Sequence, residues 1–272
     1  MIEILITIFT WTIYFFSLFF VTFWLTTLLT EEEQPEGKGQ GTPLVTITIP
    51  AYNEEETIEK TLTSVLQLDY LQQQVEVIVV NDGSRDATAQ KVVDIQQKFP
   101  ERRIILINQE NKGKGAALNA ALAQAQGEYF ICMDADSTVQ ANALRMMLPY
   151  FSRPDVAVVL PCLKVEDSNS NNLIQKMQRY EYIINMFYKE LMGRLDCIHV
   201  APGPFSMYKA AVLKTVGGFD EHNLTEDLEM AIRLQKYHYK LIQTFKTNVY
   251  TIAPGTLKGV YHQRNRWYKG SF

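Results

Sequence analysis

The stretch Tyr129-Phe130-Ile131-Cys132-Met133-Asp134-Ala135-Asp136-Ser137 decides how the rest of the chain is read. An apolar, β-prone run ends in two carboxylates one residue apart, as when a strand leaves a sheet core and breaks into a loop. Side chains alternate along an extended chain, so Asp134 and Asp136 lean to the same side wherever that geometry persists. Two converging carboxylates repel unless a positive charge sits between them. The usual neutraliser is a hard divalent cation with oxygen ligands, shared with a phosphate. A solvated loop with two acids has the same local pattern, so the flanking chain must discriminate.

Upstream, two other strand-like runs end in the same way. Residues 44–50 alternate Val, Ile and Thr and run into Pro50-Ala51-Tyr52-Asn53-Glu54-Glu55. Residues 75–80 are almost continuously apolar, as in a strand buried on both faces, and run into Asn81-Asp82-Gly83-Ser84, which is good turn chemistry. Helical periodicity runs over 54–68, with Ile58, Leu62, Val65 and Leu66 on one face, and again over 86–99 and 116–125. Residues 103–107 read as a further strand. Strand–helix alternation at this spacing predicts right-handed crossovers and a mostly parallel, Rossmann-like α/β sheet flanked by helices. Ligands of such sheets bind outside the carboxyl ends of the strands, so the three polar clusters line one rim. Acids there hold a base and ribose by accepting hydrogen bonds, and a diphosphate through a metal.

Asn111-Lys112-Gly113-Lys114-Gly115 precedes the third helix. Its glycines allow close backbone approach, the helix N-terminus favours an anion, and a lysine supplies a point charge. It is neither a Walker A loop nor a Gly-x-Gly-x-x-Gly fingerprint. No such fingerprint follows the first strand, which excludes a Rossmann dehydrogenase.

The second half is less regular. Residues 156–160 read as a strand and 172–192 as a helix with Leu173, Met177, Tyr180, Ile184, Phe187 and Leu191 on one stripe, beside Ile183 and Met186. That stripe either packs on the sheet or touches lipid. Ala201-Pro202-Gly203-Pro204-Phe205 is a rigid, small-residue loop, and Gly217-Gly218-Phe219-Asp220 a turn. In Leu224-Thr225-Glu226-Asp227-Leu228-Glu229, Thr225 reads as a helix N-cap with Glu226 and Asp227 in the first turn. The sequon Asn223-Leu224-Thr225 is read as structural. Residues 256–272 form a basic amphipathic helix, with Leu257, Val260, Tyr261, Trp267 and Tyr268 at helical spacing among Lys258, Arg264, Arg266 and Lys269. Such helices favour an anionic membrane surface.

The 272 residues carry a net charge of −4 and a pI near 5.7, which excludes a general nucleic-acid footprint. Three scattered cysteines, Cys132, Cys162 and Cys197, show no metal spacing and fit a reducing compartment. Residues 4–30 contain no charge, enough to cross a hydrocarbon core of roughly 30 Å. A cleaved signal peptide is disfavoured: no basic segment precedes the run and no small-residue cleavage site closes it. The expected division is a transmembrane anchor over 1–30, a linker over 31–43, a catalytic domain over 44–255 and an interfacial helix over 256–272. The positive-inside count near the anchor rests on Lys38 alone.

Six motifs, in order, resemble family-2 glycosyltransferases of the GT-A fold. They are Pro50-Ala51-Tyr52-Asn53-Glu54, Val80-Asn81-Asp82-Gly83-Ser84, Asn111-Lys112-Gly113-Lys114-Gly115, Asp134-Ala135-Asp136, Thr225-Glu226-Asp227 and Gln263-Arg264-Asn265-Arg266-Trp267. The last two resemble membrane polysaccharide synthases, nearest to poly-N-acetylglucosamine synthases. The resemblance implies that Tyr52, Glu54 and Asp82 hold the uracil and ribose of a UDP-sugar, with Pro50, Gly203 and Glu226 also lining the substrate site. It implies that Lys114 lies near the nucleotide, that Asp134 and Asp136 share a Mg²⁺ or Mn²⁺ with the diphosphate, and that Asp227 is the general base. Gln263 and Arg266 would contact the diphosphate, and Trp267 would stack on the acceptor sugar.

The activity so implied is inverting, metal-dependent transfer from a UDP-sugar, UDP-GlcNAc first, to a growing β-linked polysaccharide. UDP-sugars are cytosolic, so the catalytic domain is expected at the cytosolic face of the plasma membrane. Processive synthases continue past Gln-x-x-Arg-Trp into channel-forming helices, so partner chains or further C-terminal helices are expected to complete a channel. The competing expectations are transfer of a single sugar to a lipid-linked acceptor, and a catalytically idle scaffold that binds nucleotide sugars.

Overall fold

The computed structural model describes residues 2–29, 41–167 and 172–270. Most of the expected linker, 30–40, lies outside the described residues. The chain begins with α1 (Ile2–Leu29), followed by β1 (Val45–Ala51), α2 (Ile58–Leu66), β2 (Val75–Asp82), α3 (Thr88–Lys98), β3 (Arg103–Gln109), α4 (Lys114–Gln124) and β4 (Tyr129–Cys132). It continues through β5 (Ser137–Val139), α5 (Ala143–Met147), β6 (Val156–Val165), α6 (Leu173–Arg194), β7 (Ser206–Lys209), α7 (Ala210–Val216), α8 (Glu226–Lys236), β8 (Lys240–Thr251) and α9 (Leu257–Gly270).

The strands form one sheet in the order β3-β2-β1-β4-β7-β6-β8-β5. From β3 to β4 every pairing is parallel, with Pro50 level with Val80 and Thr48 level with Cys132. Their carboxyl ends therefore share a rim, as the crossover rule requires. Beyond β4 the sheet is mixed: β7 runs antiparallel to β4 and β6, β8 parallel to β6, and β5 antiparallel to β8. The parallel expectation thus holds for the first half only. The four residues of β7 are too short to show a period in sequence.

Both faces of the sheet are covered. Val77 and Val79 pack with Ile58, Leu62 and Val92 on one side, while Ile78 and Val80 pack with Leu118 and Leu234 on the other. This explains why β2 reads as unbroken hydrophobe rather than alternating.

Helix α1 has 28 residues, and only Thr27 among them is buried. It is long and apolar enough to cross a membrane by length and composition. Its C-terminal turn is tied to α6, where Arg194 Nη1 donates to the Leu28 carbonyl at 2.6 Å.

Of the two readings of the α6 stripe, packing on the sheet is the one that fails. Of the predicted stripe only Leu191 is buried, while Leu173, Met177, Tyr180, Ile184 and Phe187 are all exposed. The helix instead packs through Gln178, Met186 and Leu191. Periodicity revealed a stripe but not the side on which protein lies.

Candidate active site

The loops at the carboxyl ends of β1 and β2 are laced together. Asn53 N donates to Ser84 Oγ at 3.0 Å, and Arg85 N donates to Asn53 Oδ1 at 2.9 Å. Glu54 N donates to Thr88 Oγ1 at 2.8 Å, and Glu55 N to Asp86 Oδ2 at 3.1 Å. Gly83 has φ +75°, and a Cβ there would stand 2.8 Å from Asn111 N, so glycine is required where the loop after β2 meets the loop after β3. Tyr52 is left exposed on this rim. Burial pushes the Glu54 carboxyl above its ordinary range, against a hydrogen bond from Thr57, with Asp134 and Asp86 adding to the rise.

Asp82 is buried and organises the lysine–glycine loop. Its Oδ1 accepts from Gln109 Nε2 at 2.7 Å and Lys112 N at 2.9 Å, and its Oδ2 accepts from Gly113 N at 2.9 Å. With those donors satisfied, α4 starts immediately afterwards and presents Lys114 to the end of β4.

There the central cluster forms. Lys114 Nζ is 2.6 Å from Asp134 Oδ1 and 3.2 Å from Glu226 Oε1. Burial alone would lower the Lys114 pKa, but Asp134, Glu226 and Asp227 together outweigh it and raise it. The lysine therefore stays protonated and binds the rim of β4 to the first turn of α8. A Cβ on Gly203 would stand 2.5 Å from Asp134 Oδ1 and collide with Lys114 Nζ, so glycine lets the 201–205 loop close over the pair. Asp227, beside Glu226, has Oδ1 taken by Leu228 N at 2.9 Å. Burial raises the Asp227 pKa against the pull of Lys114, and Glu226 and Asp134 add to the rise. A carboxylate so held is a stronger proton acceptor than an exposed aspartate.

Asp136 feels the charges of Asp134 and Glu54. Burial, then the Asp134 charge, lifts its pKa to about 6 even though Ser137 Oγ donates to its Oδ1 at 2.9 Å. Its Oδ2 makes no hydrogen bond among the described residues. Like charges held this close favour a cation between them. Among the described residues no group of three or more acid, His or Cys side chains is arranged as a complete metal cage. Two carboxylates are a donor set that suits a hard divalent ion only with further oxygen ligands from a phosphate or water.

Three predicted residues lie on α9. Gln263 Oε1 is buried without a hydrogen-bond partner among the described residues. Arg266 is exposed, and the ring of Trp267 lies under the Arg264 guanidinium, 4.4 Å from its carbon. Helix α9 meets the start of α8 through Thr225. Thr225 Oγ1 donates to the Gly270 carbonyl at 2.8 Å, so the hydroxyl expected to cap α8 instead anchors the end of α9. The sequon residue Asn223 also serves locally, its Oδ1 accepting from Thr225 N at 2.9 Å.

Sequence reasoning missed two side chains of α6. Burial first, then Asp136 and Asp134 against the opposing Arg264, raises the Tyr182 pKa to about 12. Burial lowers Lys189 to about 8 against the pull of Asp227. Both side chains feel the charges of the acid cluster, yet neither lies near it in sequence, and a tyrosine or lysine inside a helical pattern carries no positional signal.

The fold agrees with the comparisons. The model of Glycosyl transferase family 2 matches residues 46–217. The chain belongs to that family. Poly-beta-1,6-N-acetyl-D-glucosamine synthase of Staphylococcus epidermidis is 31% identical over 243 residues, covering 88% of this chain and 56% of that protein. The enzyme of the same name from Staphylococcus aureus (strain COL) is 32% identical over 229 residues, covering 83% and 54% respectively. The chain thus spans about half the length of the curated relatives it matches. Among solved structures, the mannosyltransferase PcManGT from Pyrobaculum calidifontis in complex with GDP-Man and Mn²⁺ superposes with a TM-score of 0.76 at 23% identity, over 92% of this chain and 68% of that one. A fragment of Staphylococcus aureus TarS in complex with UDP-GlcNAc superposes with a TM-score of 0.59 at 20% identity, over 80% and 60%. These likenesses establish a GT-A glycosyltransferase fold.

Proposed function

We propose that the chain carries the catalytic machinery of an inverting, metal-dependent transferase that moves a sugar from a UDP-sugar, UDP-GlcNAc first, to a growing β-linked polysaccharide. The observation that carries this reading is Asp227, held at the start of α8 with a raised pKa beside the Lys114–Asp134–Glu226 cluster. The name shared by the polysaccharide synthases supports the choice of sugar.

In this reading an acceptor hydroxyl attacks the anomeric carbon from the face opposite the UDP. The new C–O bond forms as the bond to the diphosphate breaks, so an α-linked donor gives a β-linked product. Asp227 takes the hydroxyl proton, and UDP leaves with the bonding electrons. Lys114 and Arg266 face the charge developing on the leaving group, with Gln263 positioning it. Asp134 and Asp136 would hold Mg²⁺ or Mn²⁺, which neutralises the diphosphate when bound. Pro50, Tyr52, Glu54 and Asp82 form the nucleoside end of the rim, Gly203 and Glu226 close the site, and Trp267 stacks on the acceptor.

The same proposal divides the chain into an anchor over 1–30, a linker over 31–43, a catalytic domain over 44–255 and an interfacial helix over 256–272. The catalytic domain faces the cytosol at the plasma membrane, where UDP-sugars are made. The outward stripe of α6 and exposed Leu257, Tyr261 and Tyr268 of α9 support contact with that membrane. Channel helices would come from partner chains or from further C-terminal sequence.

The test offers UDP-GlcNAc, UDP-glucose and UDP-glucuronate to the membrane-embedded chain with Mg²⁺ or Mn²⁺, then measures UDP release and sizes the product. Asp227→Asn is expected to keep UDP binding and lose transfer by about 10²–10⁴-fold, the usual worth of a general base. Activity should also fall with acid at a pH above the ordinary aspartate range, because a base with a raised pKa loses its function as pH drops through that value. Donor affinity lost together with rate would remove Asp227 from the role. UDP release with products of a single added sugar would favour a lipid-linked acceptor, and no release despite UDP binding would favour an idle scaffold.

A further inference from the structure

Asn172, Gln175, Gln178 and Glu181 stand three residues apart along α6. At that spacing successive side chains are neighbours on one helix face. All four reach the same neighbouring segment. Asn172 Nδ2 donates to the Gly255 carbonyl at 2.5 Å, Gln175 Nε2 to the Ala253 carbonyl at 2.9 Å, and Gln178 Nε2 to the Pro254 carbonyl at 2.8 Å. Three consecutive carbonyls of the β8–α9 connection are thus gripped by three consecutive polar residues of the stripe. The fourth, Glu181, reaches into α9 itself, where its Oε2 accepts from Arg264 Nη2 at 2.6 Å.

The Arg264 guanidinium that Glu181 holds lies over the Trp267 ring, 4.4 Å from carbon to centroid. A planar guanidinium on an aromatic face constrains both groups. The Glu181–Arg264 pair is partly exposed, with side-chain exposures of 44% and 29%, so it does little for stability of the fold. Its specific effect is geometric: the carboxylate fixes where the guanidinium lies, and the guanidinium fixes the plane of the indole.

We propose that Glu181 is a positioning residue which, through Arg264, sets the plane of Trp267 for binding the acceptor sugar. This rests on the acceptor role of Trp267 given under the proposed function. It does not require Glu181 to touch either substrate.

The test uses the full chain in membranes with Trp11→Phe and Trp24→Phe, which leaves Trp267 as the single tryptophan of the three. Tryptophan anisotropy and emission are recorded with and without a β-linked N-acetylglucosamine oligosaccharide, and acceptor and donor KM are measured. Glu181→Gln is expected to lower the anisotropy of Trp267 and raise the acceptor KM by about tenfold. The donor KM should stay within about twofold, since uniform loss of one substrate's binding leaves the other unaffected. Arg264→Met should have the same effect, and the double variant should be no worse than Arg264→Met alone, because two residues acting in series are not additive. Additive losses, or a Glu181→Gln protein with parental anisotropy and acceptor KM, would overturn the inference. If emission of the parent ignores the oligosaccharide, the acceptor role of Trp267 falls and takes this inference with it. A change in anisotropy on Glu181→Gln would still separate that failure from an error in the Glu181 geometry.

Discussion

Helices α4 and α6 both border the acid cluster, and they present opposite faces to the protein. Helix α4 buries Ala116, Ala117, Leu118, Ala121 and Leu122 against the sheet. Helix α6 turns Leu173, Met177, Tyr180, Ile183, Ile184 and Phe187 outward and buries Gln178 with Met186 and Leu191. Their lysines differ in the same sense. Lys114 sits among three carboxylates and its pKa rises despite burial. Lys189 makes no hydrogen bond or ion pair among the described residues, and burial takes its pKa down to about 8. An ionisable group in a protein interior follows its partners where it has them and its desolvation where it does not.

The sharpest way to break this contrast is to remove the same kind of side chain from each helix. Leu118→Ala on α4 should destabilise the chain by about 2–5 kcal/mol, read from thermal or denaturant melts in detergent, because a fully buried leucine leaves a cavity. A loss below about 1 kcal/mol would mean that α4 is not held by its apolar face.

Next in size is Lys189→Met. A lysine whose folded pKa lies below its unfolded value of 10.5 costs stability wherever both states are protonated, below about pH 8. That cost disappears as pH rises from about 8 to 10.5. The variant should therefore be more stable by about 1–2 kcal/mol at pH 7, discounted for partial solvent access, and the gain should vanish by about pH 10.5. A pH-independent difference in Tm would show that the packing of the methylene chain, not the charge, sets the effect.

The smallest expected effect is Ile184→Ser on the outward stripe of α6. Ile184 is 54% exposed, so the melt should move by no more than about 0.5 kcal/mol. A loss as large as that of Leu118→Ala would place this stripe against protein and dissolve the contrast between the two helices.

Much of the first half was legible because its signals are local. Unbroken Val and Ile in β2 required cover on both faces, and strand–helix alternation required parallel crossovers. Those two facts put the clusters after β1, β2 and β4 on one rim without any knowledge of distances. The motifs also identified Lys114, Asp134, Glu226 and Asp227, which the fold brings into one cluster. The second half was less legible. β7 is four residues and β5 three, below the length at which a period of two can be recognised. The N-cap reading of Thr225 followed from residue type, but the Gly270 carbonyl, 45 residues away, took the hydroxyl.

From the sequence alone came the residue types, the periods and the order of motifs, and with them the family and the rim on which its acids stand. Only the tertiary structure decided that Lys114 pairs with Asp134 and Glu226, that the apolar stripe of α6 faces outward, and that Glu181 reaches Arg264 83 residues away. The reason is physical. Hydrogen-bond spacing and side-chain alternation act over a few residues and are written in the local pattern, whereas burial and charge pairing depend on what arrives from elsewhere in the chain.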